Sequence, residues 1–227
     1  MHKITKNILK IMLIILLCLY IPVISKAYTS QEVGQAFATY AEKVVTEGNQ
    51  KGILRYSQRA SHRNAGFNWQ KVTDSEPQLS GNGSTGEVIT GTIAFDCSSF
   101  CSRVYDYVSG GIFGGPYSTR DFSSIDCIEE VSLSNLQVGD ILWRSGHCEI
   151  YLGGNRTAAA STFKNRSHTE QVVIKDSVGN FTKAYRLKDE YIAQITTLNT
   201  DVDWTAVGES PTSGSRNNTT SEFYYNG

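Results

Sequence analysis

The stretch AFDCSSFCSRVYDYV, residues 94–108, carries two cysteines four positions apart at the start of a segment with helical spacing. Asp96 stands where an N-cap residue belongs, and Ser98 and Ser99 fill the first turn. A thiol at that position meets unsatisfied backbone N–H groups and the positive end of the helix dipole, both of which favour thiolate. Cys97 is therefore a candidate nucleophile, and the same N–H groups could donate to a developing oxyanion. The competing reading is a small apolar residue buried in the core.

Other uses of the cysteines are less well served by their spacing. A structural zinc needs paired Cys or His ligands in two places, whereas Cys127 and Cys148 stand alone. Bridging Cys97 to Cys101 would join side chains on a single helical turn, which disulfide geometry disfavours. Cross-pairing among Cys101, Cys127 and Cys148 stays open in an exported chain, although three thiols cannot all pair.

Outward from Cys97, the helix is expected to run to about Ser109, where GGIFGGP (110–116) ends it. A base is missing nearby. The histidines past residue 27 are His62, His147 and His168, and His147 lies 50 residues beyond Cys97. It follows GDILWRSG at the start of an apolar alternation through Ile150 and Leu152, so a strand can hold its imidazole firmly. Two antiparallel strands are expected around Ile141 and Ile150, with QVVIKDS and KAYRLKDEYIAQI supplying at least one more each. Upstream, Thr29 and Glu32 stand at capping-box spacing before Val33, Phe37, Tyr40 and Val44, which predicts an amphipathic helix ending near Gly48. Between that helix and Cys97 runs a long polar connection. Helix first and strands after it give an α+β class.

The chain opens on Lys3, Lys6 and Lys10, an apolar run from Ile11 to Ile24, and Ser25-Lys26-Ala27, which is the layout of a cleaved secretory signal. The alternative is a retained anchor, but the run of about 14 residues is short of the ~20 that span a bilayer, and Pro22 interrupts it. Losing Lys3, Lys6, Lys10 and Lys26 from 21 basic residues leaves 17 against 22 acidic ones, a net charge of −5. That balance argues against nucleic acid or anionic lipid as a partner. About 200 residues remain, enough to bury a core without disulfides.

FDCSSFCSRVY (95–105) and LSNLQVGDILWRSGHCEIYLGG (133–154) resemble, in order and in spacing, the two signature blocks of the NlpC-type cell-wall cysteine peptidases. The resemblance spans about 53–187 and implies a papain-like core, in which the nucleophile opens a helix packed on a small antiparallel sheet. It places Cys97 as nucleophile and His147 as general base. Asp96 and Ser98 flank the nucleophile as substrate-binding positions, and Tyr56 resembles a cleft tyrosine. Arg120, in PYSTRDF, fits either the cleft wall or an ordinary surface arginine. The substrate implied is a peptidoglycan stem peptide cut between D-glutamate and the diamino acid, with no cofactor or metal. No membrane anchor would persist after signal cleavage, and the protein would act outside the cell or in the wall.

One departure stands out. The family carries a third polar residue about a dozen positions past the base, where this chain reads TAAAST (157–162). Ser161, Thr162 or the more distant His168 could stand in, or the third member could be missing, which would leave the imidazole tautomer poorly fixed. Two alternatives follow: a CHAP-type peptidoglycan amidase with the same Cys-then-His order, and a catalytically weakened wall-binding module. The expected organisation is a signal at 1–27, an N-terminal helix at 28–52, an NlpC-like domain at 53–199 and a flexible tail at 200–227.

Overall fold

The computed structural model describes residues 27–75, 88, 90–161 and 171–208. The apolar N-terminal run, Thr162, His168 and residues 209–227 lie outside them. Among the described residues no helix is long and apolar enough to cross a membrane.

Helix α1 (Ser30–Gln50) starts at the expected capping box: Glu32 N donates to Thr29 Oγ1 at 3.2 Å and Thr29 N donates to Glu32 Oε2 at 2.8 Å. Its apolar face (Val33, Phe37, Tyr40, Ala41, Val44) is buried against α3 (Cys97–Val108), where the Phe37 and Tyr105 rings stack at 3.9 Å. Glycine at position 34 is what allows this helix to approach the turn at Val138-Gly139, because a Cβ there would collide with the Val138 carbonyl oxygen.

The polar connection is more structured than the sequence indicates. It holds β1 (Leu54–Tyr56), α2 (Ala60–Phe67) and β2 (Ile93–Phe95), with β1 and β2 paired in parallel. Strands of three residues carry too little alternation to register as a pattern. Helix α2 lies directly on β2, since a Cβ on Gly66 would meet the Ala94 carbonyl. The β1–β2 register sets Tyr56 beside Phe95, one residue before the Asp96 cap.

The main sheet contains β3 (Ile128–Val131), β4 (Ile141–Arg144), β5 (His147–Gly153), β6 (Arg156–Ala160), β7 (Val172–Lys175) and β8 (Lys183–Leu187). Its order is β3-β8-β4-β5-β6-β7, with every neighbouring pair antiparallel. The expected α+β arrangement is therefore present, with α3 against this sheet. Cys148, Ile150, Ala158 and Ala160 join the core shared with α1 and α3. Strand alternation turns His147, Glu149, Thr157 and Ala159 to the other face. A short helix α4 (Asp189–Ile192) follows β8.

Residues 200–208, the first part of the segment read as a loose tail, are seated on the domain. Trp204 packs on Trp69 with ring centroids 5.1 Å apart, Trp69 Nε1 donates to Asp203 O at 2.8 Å, and Lys43 pairs with Asp201 at 2.7 Å. Val202, Trp204, Ala206 and Val207 pack against the core from this segment, at spacings that follow neither a helical nor a strand period.

Candidate active site

Asp96 builds the helix start that presents Cys97. Its Oδ1 accepts from Ser99 N at 2.6 Å and from Ser98 Oγ at 3.1 Å, while Ser99 Oγ accepts from Asp96 N at 3.0 Å. Its Oδ2 pairs with Arg63 Nε at 2.7 Å. With Ser99 N used by the cap, the amides of Cys97 and Ser98 are first-turn donors that the helix itself cannot satisfy.

Cys97 is 4% exposed, with Sγ 3.9 Å from the Gly146 carbonyl, one residue before His147, and the thiol and imidazole are near enough to shift each other's titration. The two residues separated by 50 positions in sequence thus meet where the tip of α3 reaches the first residue of β5. His147 Nε2 lies 2.7 Å from Glu149 Oε1, and the Phe181 ring stacks on the imidazole with centroids 6.2 Å apart.

The electrostatics differ from the thiolate expectation. The Cys97 thiol is pushed well up, first by its hydrogen bond with Cys148 and then by burial, against the downward pull of His147. The helix N-terminus is therefore opposed by two local effects that the sequence did not reveal. Burial pushes His147 down, but hydrogen bonds with Cys97 and Glu149 outweigh it and the imidazole ends above its ordinary value. Burial would raise Glu149, yet contacts with His147, Lys175 and Thr157 bring it to about 2.

Tyr56 sits close enough to Cys97 for the two charges to interact, and burial first and that proximity second push its phenol up. Its hydroxyl accepts from Gln58 Nε2 at 3.1 Å, and its backbone N donates to Gln171 Oε1 at 2.6 Å. Cys101 and Cys148 are fully buried behind the nucleophile, as expected for core thiols. Cys97, Cys101, Cys127 and Cys148 are all free.

Two sequence-predicted positions form no side-chain hydrogen bond with the pair among the described residues. Arg120 is exposed in a turn. Ser161 is held through its backbone, N donating to Gln171 O at 2.9 Å, and its buried Oγ has no hydrogen-bond partner among the described residues. The side chain against the base is instead Glu149, which sequence reading passed over. The available signal was a carboxylate two residues past His147 in an otherwise apolar strand, which alternation puts on the imidazole's face.

The NlpC/P60 family model matches residues 75–186. Over that region the chain is similar to the NlpC/P60 family. It contains both signature blocks, with Cys97 on α3 and His147 on β5, and the NlpC/P60 papain-like α+β layout agrees with the observed helix on an antiparallel sheet. Among solved structures, the peptidoglycan hydrolase RipB from Mycobacterium tuberculosis is similar at 20% identity over 73% of this chain and 88% of its own, with a TM-score of 0.33. Comparison with curated proteins gave no match.

Proposed function

We propose that the protein is an exported cysteine endopeptidase of the cell wall, cutting peptidoglycan stem peptides between D-glutamate and the diamino acid. The observation that carries this reading is the meeting of Cys97, at the tip of α3, with the Gly146–His147 start of β5, inside the region matched by the NlpC/P60 model. Similarity to that family supports peptidoglycan as the substrate, and the named bond is the one the NlpC-type resemblance implies. Export rests on the signal-like layout of residues 1–27.

With the thiol held above its ordinary range, His147 removes the proton as Cys97 Sγ attacks the amide carbonyl. The amides of Cys97 and Ser98 hold the oxyanion. The imidazolium returns its proton to the departing amine, and the imidazole then activates water to hydrolyse the thioester. Asp96 maintains the geometry of the first turn, and Tyr56 and Ser98 border the attacked carbonyl as substrate contacts.

The test is incubation of the protein lacking residues 1–27, and of its Cys97→Ala variant, with defined muropeptides, followed by mass spectrometry. New fragments from the unmodified protein alone are expected, with masses that name the bond. Fragments that separate the sugar lactyl group from the first alanine would make it an amidase. No cleavage with retained muropeptide binding would make it a wall-binding module.

A further inference from the structure

We propose that Glu149, fixed by Lys175 and Thr157, is the positioning residue of His147, standing in for the polar side chain that the family carries on the following strand. The inference rests on the Cys97–His147 reading of the site.

The sheet register shows why this substitution is possible. Ile150 pairs with Ala158 and Tyr151 with Thr157, so continuing the register sets Ala159 opposite Glu149. A long side chain at 159 would be the diagonal cross-strand neighbour of His147, within reach of its ring. Alanine there carries no polar group, and the Glu149 carboxylate meets the imidazole from the base's own strand instead. On β7, Lys175 pairs with Thr157, which brings the ammonium to the same face two strands away.

The hydrogen bonds then assign the tautomer. Glu149 Oε1 meets His147 Nε2 and Lys175 Nζ, and Oε2 accepts from Thr157 Oγ1. An ionised carboxylate only accepts, so Nε2 carries the proton and Nδ1 is left as the base toward Cys97. The Glu149 side chain is 3% exposed, and a carboxylate so buried needs both an ion partner and hydrogen bonds. Lys175 and Thr157 supply them, which is why one residue cannot be read without the others. The remaining titratable groups facing the pair are Asp96, Cys97 and Cys101 on α3, Cys148 on β5 and Tyr56 on β1.

The test combines kinetics with an activity-independent readout. In Glu149→Gln, muropeptide kcat is expected to fall about 10²-fold or more with KM little changed, and the His147 imidazole resonance is expected to titrate at lower pH. Adding Ala159→His to Glu149→Gln is expected to restore at least tenfold of the lost kcat. Lys175→Met keeps the carboxylate and is expected to move the acid limb of the kcat profile upward; it serves as the reporter if Glu149→Gln does not fold. Unchanged kcat and an unshifted His147 titration in Glu149→Gln, or an unmoved acid limb in Lys175→Met, would overturn the proposal. If the unmodified protein cleaves no muropeptide while the His147 shift is seen, the peptidase reading falls and the positioning role stands.

Discussion

Replacing Cys148 by alanine probes the environment that holds the nucleophile's proton. Cys148 is 0% exposed, and its hydrogen bond is the largest influence raising the Cys97 thiol, with its charge a third after burial. Removing the sulfur deletes two of these three effects, so the Cys97 thiol is expected to titrate lower while burial and Asp96 keep it from falling freely. Cys101 loses the same partner but stays fully buried. The stability cost follows from losing one buried heavy atom and leaving a small void, ~1–2 kcal/mol. For a domain of this size that lowers the melting temperature by about 2–8 °C. The assay is site-resolved iodoacetamide alkylation of Cys97 across pH, quantified by mass spectrometry, beside a thermal melt. A folded Cys148→Ala protein whose Cys97 alkylation midpoint is unchanged or higher would show that the Cys148 contact does not control the nucleophile.

Three other outcomes follow from the same structure. Glu149 sits at about 2 rather than its ordinary 4.5, so its contribution to stability is present above pH 4.5 and is lost as pH falls toward 2, roughly 3 kcal/mol in all. Urea unfolding between pH 7 and 3 should show that loss, and Glu149→Gln should flatten it; an equally steep profile in the variant would refute the assignment. Gly34→Ala should destabilise the protein by about 1–3 kcal/mol in a thermal melt, because the collision with the Val138 carbonyl outweighs the ~1 kcal/mol gained in helix propensity. An unchanged or higher melting temperature would contradict that packing. Trp204→Ala should cost about 1–3 kcal/mol and open cleavage sites after Leu198 in limited proteolysis, since it removes the stack on Trp69 and the bond from Trp204 Nε1 to Glu47. Cleavage patterns identical to those of the unmodified protein would show that residues 200–208 are held by something else.

Short-range chemistry was the part the sequence determined by itself. Asp96 before Cys97 specifies a capped helix start, and the Thr29–Glu32 spacing specifies another, because a cap is satisfied within four residues. The apolar alternation after Gly146 likewise identifies β5 and the placement of His147 at its start. The signature blocks then pointed to the pair from resemblance. Tertiary structure alone decided what surrounds that pair. Cys148 raising the thiol, Gln171 bonding Tyr56 and Lys175 neutralising Glu149 depend on distances across α3, β1 and β7, and no local period encodes which strand pairs with which. The third polar partner shows the difference most clearly. Linear spacing directs attention to Ser161 and His168, whereas the 2.7 Å contact to His147 comes from Glu149, two residues away, because alternate side chains of a strand share a face whatever partner the next strand offers.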